Sequence, residues 1–146
     1  MLSKSTEYAI RALVFVQLRN WEEKRPGVGE IAKEIEAPEA YTAKILQILT
    51  KNKLMDSMKG RGGGFFFNDY QSDLTLYKVI HVIEGDASFH KCGFGLKECH
   101  NDNPCPLHDK YKVVRDGFFE IAKTETIKSL SEQILNGKAI LNRIKY

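Results

Sequence analysis

Cysteine is missing from the first 91 residues of this 146-residue chain and from its last 41; the three it has are Cys92, Cys99 and Cys105. An odd number of thiols confined to one short run argues against the paired disulfides that staple small secreted domains. Long apolar runs are missing too. The longest is Ala12–Val16, five residues, whereas a bilayer crossing needs about 20, and no apolar stretch of signal-peptide length precedes the cysteines. A soluble, cytoplasmic protein with no membrane partner is expected. Internal repeats and low-complexity tracts are absent, so the length fits one compact domain or a small domain with a helical appendage. No nucleophile–base set or cofactor fingerprint can be read, which leaves an enzyme without support.

Strong charge of one sign is also lacking: the net charge is only +3. Its distribution says more than its total. Residues 38–64 hold Lys44, Lys51, Lys53, Lys59 and Arg61 against Glu39 and Asp56, whereas residues 73–107 are acidic by two charges. The basic stretch falls on a recognisable arrangement. Ser3 can cap a first helix in which Ala9, Ile10, Leu13, Val14, Val16 and Leu18 recur at helical spacing, predicting an amphipathic core helix. After a polar break at 22–29, a short helix turns Ile31, Ala32 and Ile35 inward. A third, over 38–52, has Pro38 suited to its first position and Glu39 to the positive end of its dipole. It is expected to bury Tyr41, Ile45, Ile48 and Leu49, leaving a small, polar and cationic face of Glu39, Ala40, Ala43, Lys44, Gln47 and Lys51. Such a pair of helices is what a helix-turn-helix needs to enter a major groove.

The next segment strengthens that reading. Residues 54–58 alternate, the run Gly60-Arg61-Gly62-Gly63-Gly64 cannot stay regular, and Phe65–Phe67 reads as a second strand. This is a β-hairpin wing whose glycines let backbone approach DNA while Lys59, Arg61, Gly62 and Gly63 form a basic tip. No Gly-Lys-Ser/Thr follows, which sets a nucleotide-phosphate loop aside. Residues 68–73 look linker-like, placing a boundary near residue 70: a winged helix-turn-helix DNA-binding domain over 1–70 and a cysteine-loop sensor and dimerisation region over 71–146.

In the second half, Thr75 can cap a helix over 76–84 that Gly85 ends. Beyond the cysteine loop, Pro106 opens a long helix in which Leu107, Tyr111, Val114, Phe118 and Ile121 alternate by four and three. That seam is expected to continue through residues 124–130 into a mixed, partly frayed end over 131–146, and to meet a second subunit. The fold class is therefore mainly α with a small β-hairpin wing.

The loop reads Cys-x6-Cys-x5-Cys-x2-His, ending at His108. Three thiols and an imidazole suit several occupants. Zinc prefers paired Cys-x2-4-Cys knuckles, absent here, although a Cys3His tetrahedron is stereochemically possible. A zinc deaminase would need His-x-Glu and Pro-Cys-x-x-Cys, and neither is present. A thiol-redox switch would use the cysteines and leave His108 unexplained. An iron–sulfur cluster uses all four groups. His81, His90 and His100 read as solvated or loop-packing, with His100 the alternative ligand to test. An iron–sulfur electron carrier or cluster-transfer protein is a further reading.

Taken in order, STEYAIRAL, IAKEIEAPEAYTAKILQIL, KGRGGGF and the three-cysteine loop before a long helix resemble the Rrf-two family of bacterial winged-helix regulators, with its IscR-like and NsrR-like members. The resemblance spans nearly the whole chain. It implies a homodimer that binds a roughly palindromic double-stranded operator and alters transcription when a cluster is gained, lost or modified, in response to iron–sulfur status, nitric oxide or redox state. Cys92, Cys99 and Cys105 match the family cysteines, and His108 matches the IscR-like histidine that points to a 2Fe-2S cluster. In NsrR-like members a carboxylate from the opening helix completes the site across the dimer. Glu7 stands at that place, with 4Fe-4S the matching alternative. The chain departs from the IscR-like pattern in a first cysteine gap of six instead of five, in Ala40 and Ala43 where polar base-contacting side chains stand, and in Lys59 at a wing arginine. Some members keep the fold and bind no cluster, so an apo, zinc-dependent or thiol-based regulator is the other form the resemblance allows.

Overall fold

The computed structural model describes residues 2–71 and 73–143. The last three residues of the terminal segment and position 72 of the linker lie outside them. Ser3 starts the first helix by accepting a hydrogen bond from the Thr6 amide, and α1 runs over Lys4–Trp21. Its side chains from Ala12 to Val16 are all buried. Five successive residues cannot share one face of a helix with 3.6 residues per turn, so α1 is enclosed and not amphipathic as expected. It is packed by α2 (Val28–Glu34), α3 (Glu39–Lys51), α4 (Leu76–Glu84) and α6 (Ile127–Leu135).

Between α2 and α3 the chain turns at Glu36, which takes φ of 55°, and the Ala37 amide donates back to the Ala32 carbonyl. Pro38 occupies the N-cap of α3, one position before the first helical residue expected for it. Helix α3 buries Thr42, Ile45, Leu46 and Leu49. Ile48, expected inside, is 41% exposed. It lies about a third of a turn from the centre of the 42-45-46-49 stripe, and Leu46 fills the core position instead.

Strands β1 (Asp56–Met58) and β2 (Gly64–Phe66) pair antiparallel, with Ser57 opposite Phe65. Two anchors hold this wing to the body. The Phe65 amide donates to the Pro26 carbonyl, and the Asn20 side chain of α1 donates to the Phe65 carbonyl while accepting from the Phe67 amide. Two of the wing glycines serve packing. A Cβ on Gly63 would stand 2.1 Å from the Met58 carbonyl oxygen, and one on Gly64 2.2 Å from that of Arg25. Gly60 and Gly62, at positive φ with open space around them, make the turn itself. The linker-like residues are a packed corner: Gln71 is buried, accepts from the Asn68 amide and donates to the Lys53 carbonyl.

Thr75 caps α4 and Gly85 ends it, as expected. Glu84 clamps this end to α1. Its partial burial alone would raise the carboxyl pKa, but hydrogen bonds from Ser3 and Thr6 outweigh that and hold it below the ordinary range. The long C-terminal helix is not continuous. Helix α5 (His108–Thr124) stops at an extended Glu125, and Thr126 forms a capping box with Ser129 that starts α6. The break is held by a β-bridge from Thr75 to Thr126. Helix α6 turns back along α1, burying Ile127 and Ser131, so the seam ends at α5. The segment after α6 is docked where fraying was expected: the Asn142 amide donates to the backbone and side-chain oxygens of Glu34. A second apolar cluster joins α4 to α5 through Ile80, Phe89 and Ala122, with Tyr77, Phe118 and Phe119 around it.

Candidate nucleic-acid interface and cysteine centre

Glu39, Ala40, Ala43, Lys44, Gln47 and Lys51 are all exposed on α3. The wing tip leaves Lys59, Arg61 and Gly62 exposed and Gly63 half-buried. A further cation, missed in the sequence, joins them. The Arg25 guanidinium lies 4.1 Å over the Phe66 ring and donates to the Met58 sulfur at 3.5 Å, so a residue far upstream rides on the wing strands. The Lys24-Arg25 pair in the polar break before α2 was its only signal. Lysine and arginine are the side chains that phosphate contacts on a duplex call for, and Gln47 carries an amide of the kind suited to a base edge.

The cysteine loop leaves α4 through a short 3-10 turn, Ala87–Phe89. Phe89 anchors it, with ring centroids 5.3 Å from Phe118 and 5.1 Å from Phe119 of α5. Gly93 lies flat on Tyr111: an added Cβ would meet the ring at 2.4 Å. These contacts bring Cys92 over the start of α5. Its sulfur is buried and 3.6 Å from that of Cys105. Cys99 Sγ lies 3.3 Å from His108 Nδ1, the first residue of α5. The four expected donors therefore come together as two pairs.

The imidazole is oriented from behind. His108 Nε2 is 3.0 Å from Asn101 Oδ1, which also accepts from Lys112 Nζ at 3.3 Å. A lysine ammonium has only donors, so the Asn101 atom is the oxygen and His108 Nε2 carries the proton, which leaves the Nδ1 lone pair facing Cys99. Burial alone would push the Cys92 thiol up; hydrogen bonding from the Phe94, Leu96 and Gly95 amides and the Cys105 thiol outweighs it and lowers the pKa. Arg115 is buried, donates to the Lys91 carbonyl at 3.3 Å, and has no hydrogen-bond partner for Nε among the described residues. His100 pairs with Glu98 at 2.8 Å. Glu7 is exposed on the first turn of α1 and pairs with Lys4 at 3.5 Å.

The donor geometry can be tested against candidate occupants. Two ligands on one tetrahedral metal, at ~2.3 Å for sulfur and ~2.0 Å for nitrogen, stand about 3.5–3.8 Å apart. Each pair approaches that span. Among the described residues no three His, Cys, Asp or Glu side chains are placed to hold a single ion, as mononuclear zinc would require. A 2Fe-2S cluster takes two protein ligands on each of two irons, and each pair taken by itself has about the span that one iron needs.

Helix-turn-helix, wing and basic outer face define a winged-helix DNA-binding regulator with a thiol-rich loop. The family model described as an iron-dependent transcriptional regulator, Rrf2, matches residues 2–133, and the chain belongs to this Rrf2 family of transcriptional regulators, which are not enzymes. It is 32% identical over 130 residues to Protein aau3 of Rhizobium meliloti strain 1021, covering 88% of this chain and 83% of that protein. Among solved structures, T. potens IscR superposes with a TM-score of 0.71 at 18% identity, covering 96% of this chain and 92% of that one. CymR (YrzC), the global cysteine regulator of B. subtilis, does so with 0.71 at 20% identity, covering 90% and 96%. Both share the fold. No helix among the described residues is long and apolar enough to cross a membrane.

Proposed function

We propose that the chain is a cytoplasmic, homodimeric repressor-type regulator that reads a double-stranded operator with α3 and the wing and senses through a 2Fe-2S cluster on Cys92, Cys99, Cys105 and His108. The observation that carries this reading is the division of the donors into two pairs, Cys92 with Cys105 and Cys99 with His108. When bound, the cluster supplies a charged centre that responds to redox state, nitric oxide or iron–sulfur supply. Labour is divided near residue 70: the first part contacts DNA, and the second holds the ligands and the subunit contact. The neutral imidazole of His108 raises the reduction potential relative to a fourth thiolate. Gly93 and Tyr111 tie the position of Cys92 to α5, so loading the loop shifts α5 against α4 and α1 and changes the spacing of the two α3 helices in the dimer.

Anaerobic purification followed by iron, sulfide and zinc assays tests the reading. Matched iron and sulfide of about two per chain, with cluster-dependent operator binding, is expected. Cys92→Ala or Cys105→Ala should stay folded and lose cluster-dependent regulation. A 4Fe-4S stoichiometry would move the fourth ligand to Glu7, and a protein that takes up zinc alone, or whose regulation survives both substitutions, would overturn the proposal.

A further inference from the structure

The thiol pair nearest in space is not the pair nearest in sequence. Cys99 and Cys105 are six positions apart, yet Cys105 faces Cys92, thirteen positions away, at 3.6 Å, while Cys99 faces His108 at 3.3 Å. A disulfide holds its sulfurs about 2.05 Å apart, so closing the Cys92–Cys105 pair needs about 1.5 Å of approach. Cys105 immediately precedes Pro106 at the entry to α5, and Cys92 is held from the other side by Phe89 and by Gly93 on Tyr111. Burial divides the roles: Cys92 is enclosed and Cys105 is half-exposed.

We infer that the metal-free chain is a dithiol redox switch in which Cys105 is oxidised first and Cys92 resolves it to an intramolecular Cys92–Cys105 disulfide, with Cys99 left reduced. With a peroxide as oxidant, the Cys105 thiolate attacks one peroxide oxygen. An S–O bond forms, the O–O bond breaks, and the leaving oxygen takes a proton to give water. The Cys92 thiolate then attacks the sulfenic sulfur; the S–S bond forms, the S–O bond breaks and the hydroxyl leaves as a second water. Two thiols lose two electrons and the peroxide gains them. The product ties the end of the 3-10 turn to the entry of α5 and removes one of the two donor pairs, so the oxidised loop is closed to iron. That consequence rests on the proposed cluster site. The disulfide itself does not.

The full-length metal-free protein, reduced and freed of reductant without oxygen, is treated with one equivalent of hydrogen peroxide per chain. Free thiols are counted and bridged peptides mapped without reduction. Cleavage after Lys97 and before Asp102 puts each cysteine on its own peptide. The expected result is a fall from three thiols to one, a bridge between the Cys92 and Cys105 peptides of the same chain, and the same product from Cys99→Ser. Three surviving thiols, a bridge containing Cys99, or one between chains overturns the inference. No cluster or operator is needed, so failure here leaves the regulatory reading intact, and failure of that reading leaves the disulfide.

Discussion

Arg25 and Arg61 are both wing cations, but they carry their charge on different supports. Arg61 stands at the exposed tip among glycines, and Arg25 lies across Phe66. Arg61 was legible because it falls inside a basic, glycine-rich hairpin; Arg25 was not, because what brings it to the wing is a backbone hydrogen bond between Phe65 and Pro26 that no local pattern announces. If both contact phosphate, Arg61→Ala and Arg25→Ala should each weaken operator binding and lower the slope of log affinity against log salt by about 1. Salt titrations of a gel shift or of fluorescence anisotropy measure this. An unchanged slope for Arg25→Ala would reduce that side chain to wing packing. The cysteine centre divides likewise: the grouping of Cys92, Cys99, Cys105 and His108 in one loop was legible from residue type and spacing, whereas their pairing and the Asn101–Lys112 support of His108 come from the folded loop.

At the level of elements, the helix-turn-helix, the wing, and α4 between Thr75 and Gly85 could be read because capping and turn residues mark their ends. The C-terminal seam was read too far. Its apolar spacing runs past residue 121, and only the Thr126–Ser129 capping box, together with the bridge to Thr75, shows where the chain reverses. What remains on α5 is informative. Leu107, Val114 and Ile121 recur every seven residues, and all three are exposed in the single chain, with Val113 beside Val114. Tyr111 and Phe118 turn partly inward, so the helix carries an inner face for its own loop and an outer stripe suited to a partner helix. Val114→Lys should therefore separate the proposed dimer without harming the monomer, because Val114 is outside both apolar clusters. Sedimentation should give a mass near 16.7 kDa with unaltered helicity, and operator affinity should fall by roughly ten-fold or more once two half-sites are no longer bound together. A dimer that survives this charge would move the subunit contact off α5.

At the scale of the molecule, the two functional parts share one hydrophobic core. Leu13 and Val16 of α1, Leu46 and Leu49 of α3, Val79 of α4 and Ile127 of α6 belong to the same buried cluster. The sequence suggested a boundary near residue 70 because polar residues gather there; it could not show that α6 returns across that boundary to pack on α1. In that shared core α1 touches both α4 and α3, which also touch each other, so under the proposed function a change at the cysteine loop would reach α3 through this packing. It also fixes how the protein unfolds. Ile127→Ala empties a fully buried site in the last helix and should cost about 2–5 kcal/mol. The single tryptophan, Trp21, ends α1 in the DNA-reading part, far along the chain from the substitution. If the core is one cooperative unit, the Trp21 fluorescence transition in urea should move to lower denaturant together with the loss of helical circular dichroism, by the same free energy. If the Trp21 transition stays in place while helicity is lost early, the two parts unfold independently, and α1 cannot transmit cluster state by rigid packing.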